Sequence, residues 1–109
     1  MVIDMDELIE YIKKFNQERD WEQFHTPNNL AKSIVLEANE LLEHFQFDKD
    51  NFDKKEVCEE LADVMTYCID MAYQLGVDPI EIIYDKMKKN AEKYPADKVK
   101  GSSKKYNEY

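Results

Sequence analysis

Four carboxylates set the chemical question in this sequence. Glu37 and Glu40 sit in "EANELLEH", and Glu60 and Asp63 in "EELADV", so each pair is spaced three residues apart. On an α-helix that spacing brings both side chains to one face. Both pairs lie among Val, Leu and Ala, beside positions that should form a core. Carboxylates gathered there repel and lose hydration; without compensation they cost several kcal/mol or take up protons. A hard divalent cation supplies that compensation. Mg²⁺ takes oxygen ligands, binds through few carboxylates, keeps several waters and completes its shell with substrate phosphates. Acidic residues that merely line the wet face of a bundle share this spacing, and spacing alone leaves both readings open.

The elements that must carry these pairs are helical. Met5, Leu8, Ile12 and Phe15 follow the i, i+3, i+7 pattern of an amphipathic first helix over about residues 4–19. "RDWEQFHTP" breaks the pattern, and Thr26-Pro27 reads as an N-cap and first-turn pair opening a second helix to about residue 46. Asp53, with Glu56 three residues on, starts a third helix that ends near Leu75, where Gly76 supplies a left-handed cap. Asp78 and Pro79 start a fourth helix that runs to about Lys93 and stops at Pro95. No alternating strand pattern, repeat or linker interrupts the chain. The expected fold is all-α, a four-helix bundle.

Helix two has a wide apolar arc of Leu30, Ala31, Ile34, Val35, Ala38, Leu41, Leu42 and Phe45. Off one edge lies a polar stripe of Ser33, Glu37, Glu40 and His44. Helix three is apolar over more than half its circumference, which predicts the central and most enclosed helix. Its remaining strip holds Glu56, Glu60, Asp63, Tyr67 and Asp70, and pairing of the apolar faces lets the two acidic strips face each other.

Composition narrows the partners. The chain of 109 residues suits one domain with a modest core. Its net charge of −9 argues against nucleic acid or an anionic membrane as partner, and no apolar run approaches the ~20 residues of a membrane span. The acidic start, MVIDMDELIEYIKK, reads as helix and not as a leader. Residues 1–85 carry seven basic and 21 acidic side chains, whereas residues 86–109 carry eight Lys against three acids. An acidic body with a lysine-rich end suits a site that needs cations and then ammonium groups for phosphate. Cys58 and Cys68 lie about 15 Å apart along one helix, too far for a disulfide, which points to a reduced cytoplasmic setting. Di-iron bundles pair Glu with His at i, i+3 on helices; His44 follows Glu40 by four, and His25 lies outside the predicted helices. Two Cys and two distant His make no tetrahedral zinc set.

The order Glu37-x-x-Glu40, a 19-residue gap, then Glu60-x-x-Asp63 resembles the metal signature of the MazG-like, all-α nucleoside triphosphate pyrophosphohydrolases. "RDWEQFHTPNNLAKS", "EANELLEHFQF", "EELADVMTY", "KMKKNAEKYP" and "KGSSKKY" resemble segments of the same family in the same order, over nearly the whole chain. The likeness is to the small single-domain branch typified by dCTP pyrophosphatase.

The resemblance implies one domain over 1–109 that cleaves between the α- and β-phosphates of a nucleoside triphosphate, such as dCTP or a modified deoxynucleotide, giving monophosphate and pyrophosphate. Glu37, Glu40, Glu60 and Asp63 would hold Mg²⁺, with Mn²⁺ as a substitute, and Glu37 is the candidate base. Tyr67, one turn beyond Asp63, would donate to phosphate or sugar. Trp21, His25, Phe45 and Phe47 would grip the base, although the family carries Trp where this chain has Phe47. Lys86, Asn90, Lys93 and Tyr94, around the "N-x-x-K-Y-P" segment, would bind triphosphate or sugar. Lys100, Lys104, Lys105 and Tyr106 fall in a tail, residues 95–109, that would fold over a site. The implied assembly is a homo-oligomer that completes the bundle, a tetramer with the dimer as runner-up. Alternatives are a dUTP, dUDP or phosphoribosyl-ATP hydrolase of the same architecture, or a catalytically silent helical interaction module.

Overall fold

The computed structural model describes residues 2–47 and 50–102. The chain forms two compact units, Met1–Gly76 and Val77–Tyr109. Among the described residues every regular element is helical, as expected. The first unit holds α1 (Met5–Glu18), a 3₁₀ turn (Glu22–Phe24), α2 (Pro27–Glu43) and α3 (Lys54–Gln74). The second holds α4 (Pro79–Lys93) and a short α5 (Ala96–Val99).

Side-chain caps set where the helices start. Asp4 Oδ1 accepts from Glu7 N at 2.8 Å, and Thr26 Oγ1 accepts from Asn29 N at 3.2 Å with Pro27 in the first turn. Asp53 Oδ1 accepts from Lys55 N and Glu56 N, and Asp78 Oδ1 from Ile80 N. Each bond satisfies donors that the first turn of a helix leaves free. Gly76 ends α3 with φ 71°, the left-handed region in which a Cβ is strained. Asp20 takes φ 54° without being glycine, an uncommon state that an aspartate tolerates best. Its Oδ2 accepts from Gln23 Nε2 at 2.9 Å, and Trp21 N donates to Asn16 O at 3.0 Å. This turn folds Trp21 back onto Phe15, edge to face at 5.6 Å.

Two expectations are corrected. Helix two stops at Glu43 and not near 46, because His44, Phe45 and Gln46 donate to carbonyls three residues back. Such bonds tighten the last turn and end the α-helix. Helix three is the central one, as expected, but it is far less enclosed than its apolar arc predicts. It packs along α2 and more lightly against α1, and only Asp70 and Ala72 in it are buried. Leu61, Met65 and Cys68, one stripe at i, i+4, i+7, are exposed. On α2 the buried residue is Leu30, while Ala31, Val35, Ala38 and Leu42 form a second exposed stripe. Three helices cannot surround one of their own number, so the apolar arcs are wider than this unit covers. Past Pro95 the chain turns once more as α5.

Candidate functional site

The two acidic strips do face each other. α2 supplies Glu37 and α3 supplies Glu60 and Asp63, and one oxygen from each lies within 4.8 Å of the others. Glu40, one turn after Glu37, comes close enough to hydrogen-bond both Glu37 and Glu60. Burial, then the bond to Glu40 and the charges of Glu40, Asp63 and Glu60, push the Glu37 carboxyl above its ordinary range. Glu60 is raised by burial, then by Glu40 and Asp63, with His44 acting the other way. His44 bridges the rim, its Nε2 3.9 Å from Glu60 Oε1 and its Nδ1 4.0 Å from Glu56 Oε2.

Two oxygens of this cluster, Glu37 Oε2 and Glu60 Oε2, are buried with no hydrogen-bond partner among the described residues. Buried polar atoms are normally paired, so orphaned carboxylate oxygens at one point suit a cation. All the donors are hard oxygens, the set that Mg²⁺ or Mn²⁺ takes. Tyr67 stands against the cluster. Burial, then Glu37, Asp63, Asp70 and Glu40, push its phenol up, which keeps it a neutral donor. The one Glu-x-x-His spacing, Glu22 to His25, starts on the 3₁₀ turn and not on a bundle helix.

A cavity of about 580 Å³ opens beside the carboxylates and shares Asp63 and Tyr67 with them. Its size is ordinary for a small-molecule pocket. The apolar stripe of α1 (Leu8, Ile12 and Phe15) forms one wall, and Met65 and Ile69 of α3 form another. Trp21 and His25 stand in the lining, brought there by the turn at Asp20 and the 3₁₀ segment. Asn16 and Asp70 also line it, joined by a 2.9 Å bond from Nδ2 to Oδ1.

The remaining sequence candidates are dispersed. Phe45 packs on Phe52 with ring centroids 4.8 Å apart, Phe47 is 93% exposed, and neither lines the cavity. Lys86, Asn90 and Lys93 share a face of α4 at i, i+4, i+7, with Asn90 Nδ2 3.6 Å from Met87 Sδ. Tyr94 caps α4 through its N–H to Asn90 O, and Lys100 caps α5. Lys104, Lys105 and Tyr106 lie outside the described residues. Sequence reasoning did not single out Asn16 or the bridging role of His44. Asn16 had a visible signal, a carboxamide one turn after Ile12 on an otherwise apolar stripe.

The profile of the MazG-like family matches residues 32–109. Human dCTP pyrophosphatase 1 is 38% identical over 104 residues, which cover 87% of this chain and 61% of that protein. The mouse dCTP pyrophosphatase 1 is 37% identical over 102 residues, 85% of this chain and 60% of that one. The chain thus spans about three-fifths of the length of the curated relatives it matches. A crystal structure of a pyrophosphatase from Archaeoglobus fulgidus superposes with a TM-score of 0.73 at 37% identity, covering 87% of this chain and 95% of that one. The helical architecture, the facing carboxylates and these likenesses agree: the chain belongs to the MazG-like family.

Proposed function

We propose that this chain is a Mg²⁺-dependent nucleoside triphosphate pyrophosphohydrolase, cleaving the α–β phosphoanhydride of nucleotides such as dCTP or modified deoxynucleotides to monophosphate and pyrophosphate. The observation that carries the reading is the meeting of Glu37, Glu60 and Asp63 within 4.8 Å, with two buried oxygens unpartnered, at the mouth of a nucleoside-sized cavity. The relatives' names support the reaction class.

Glu37, Glu60 and Asp63 would hold the cation, with Glu40 beside them. A bound divalent ion supplies charge neutralisation on the triphosphate and a lower pKa for water. The chain's own residues do the rest. Water adds across the anhydride, one P–O bond forming as the bridging P–O bond breaks, and its proton passes to a carboxylate of the cluster, with Glu37 the candidate base. Tyr67 donates its O–H to a phosphate or sugar oxygen, and Trp21 and His25 contact the base. Lys86, Lys93 and Lys100, with the tail lysines, would offset phosphate charge that the cation does not reach, and Asn90 and Tyr94 would hydrogen-bond phosphate or sugar. The charge of α4 and the motif it carries favour that assignment. The exposed stripes on α2 and α3 favour a homo-oligomer, taken as a tetramer, in which one domain over 1–109 contributes its site. No helix among the described residues is long and apolar enough to cross a membrane.

The test is a panel of nucleoside tri- and diphosphates with Mg²⁺, resolved for nucleotide products, pyrophosphate and phosphate. Monophosphate with pyrophosphate is expected. Phosphate from a diphosphate would assign another reaction, and no turnover by metal-loaded protein would overturn the catalytic reading.

A further inference from the structure

We propose that Asn16 and Asp70 read the base, presenting hydrogen-bond acceptors to an exocyclic amino group so that the cavity takes amino-bearing bases over oxo-bearing ones. This rests on the reading of the cavity as a nucleotide pocket and adds to it the residues that choose among bases.

Because the cavity shares Asp63 and Tyr67 with the carboxylate cluster, a ligand whose phosphates sit at the cluster projects its nucleoside inward. There it meets apolar walls from α1 and α3, which cannot tell an amine from a carbonyl. Among the polar residues of the lining, which also include Tyr11, His25 and Thr66, Asn16 and Asp70 are the most buried, only 6% and 5% exposed. Asn16 Nδ2 gives one of its two hydrogens to Asp70 Oδ1, and the two side chains make no other hydrogen bond among the described residues. The oxygens left over, Asp70 Oδ2 and Asn16 Oδ1, are both acceptors. Burial pushes the Asp70 carboxyl up, and the bond from Asn16 and the nearby His25 oppose it only in part.

Cytosine N4 and adenine N6 offer N–H donors at the position where uracil and thymine offer a carbonyl oxygen. An amine satisfies a buried acceptor; a carbonyl leaves it unpaired and repels it. A polar site of this kind rejects the wrong isostere far more strongly than an apolar pocket rejects a missing methylene. The competing role for the pair is a strut between α1 and α3. A strut would change stability without changing base preference.

The experiment compares dCMP with dUMP, which differ in the 4-substituent and in the proton that uracil carries on N3, by titration calorimetry, alongside kcat/KM for dCTP and dUTP with Mg²⁺. The wild-type chain should bind dCMP at least roughly tenfold more tightly. Asp70→Asn, whose carboxamide can turn either oxygen or NH₂ toward the base, should bring the two ligands within about threefold while its far-UV circular dichroism is unchanged. If Asp70→Asn does not fold, the smaller Asp70→Ser carries the same comparison, and equal wild-type affinities would refute the proposal without either variant. Equal affinities, no binding of either nucleotide, or a preference that survives loss of the Asp70 charge would overturn the proposal. The binding arm needs no turnover. A dCMP preference in a chain that hydrolyses nothing would therefore reject the proposed reaction and uphold the base reading.

Discussion

Asn16 Nδ2 donates to Asp70 Oδ1 at 2.9 Å across 54 residues of sequence, and both side chains are buried. α1 meets α3 over a smaller interface than α2 does, and this bond crosses it. Asn16→Ala would strand the Asp70 carboxyl in the wall without a donor. Leaving a buried polar group unsatisfied costs about 1–3 kcal/mol, which thermal denaturation should read as a Tm several degrees lower. Removing both groups in Asn16→Ala/Asp70→Ala should recover part of the loss, because the stranded carboxyl is gone. Strict additivity in that double-mutant cycle would show that the pair is not coupled.

Glu60 presents the opposite balance. Its Oε2 is buried and unpartnered, with Glu40 and Asp63 beside it. Glu60→Gln removes one charge from a mutually repelling set, and it should raise the Tm of metal-free protein while lowering kcat roughly 100-fold or more. Function and stability pull apart at sites where strain is stored. Chelated protein that melts lower after Glu60→Gln would mean the cluster is satisfied without a cation.

The same carboxylates set a pH dependence. Glu37 and Glu60 titrate above the ordinary value of 4.5, so between that value and their raised ones the folded chain holds protons that the unfolded chain has released. Stability falls with rising pH wherever the native state binds more protons. In chelator, this contribution should be fully present below about pH 4.5 and lost as pH rises through the raised values. Mg²⁺ binds the ionised cluster, so the Tm gain from added Mg²⁺ should be small near pH 5 and larger near pH 8. A gain independent of pH would detach the cation from Glu37 and Glu60.

Trp21 and Phe47 separate two parts of the base-gripping set. Trp21 lines the cavity, edge to face with Phe15, whereas Phe47 is 93% exposed and off the lining. Base stacking on an aromatic ring contributes about 1–3 kcal/mol, so Trp21→Ala should raise KM roughly tenfold or more with kcat less affected. In an isolated chain, Phe47→Ala should leave binding of dCMP near wild type. An equal loss from both would place Phe47 at a pocket that only an assembled form completes.

These contrasts show what the sequence makes legible. Helix starts were readable because Thr26, Asp53 and Asp78 act through bonds to backbone two or three residues away. The facing of Glu37 with Glu60 and Asp63 followed from helical period and the pairing of apolar arcs. The end of α2 was not readable, since the tightened turn at residues 44–46 has no glycine or proline to announce it and coincides with a contact to Phe52, beyond the helix. Asn16 was missed because its value lies in a partner 54 residues away, and periodicity reports faces, not partners.

The widest mismatch concerns burial. Ala31, Val35, Ala38 and Leu42 recur at i, i+4, i+7, i+11 along α2, yet all four are exposed, with Val35 at 68% and Leu42 at 64%. Alternating small and branched residues on one stripe let another helix approach closely, and an apolar stripe in water favours association. Val35→Glu/Leu42→Glu would bring two carboxylates to that seam. Both positions already face solvent in the single chain, so its helical content should be kept. Light scattering coupled to size exclusion should then show a mass shift from oligomer toward monomer. A wild-type chain that is already monomeric, or a double variant that keeps the oligomer, would rule out this stripe as the interface.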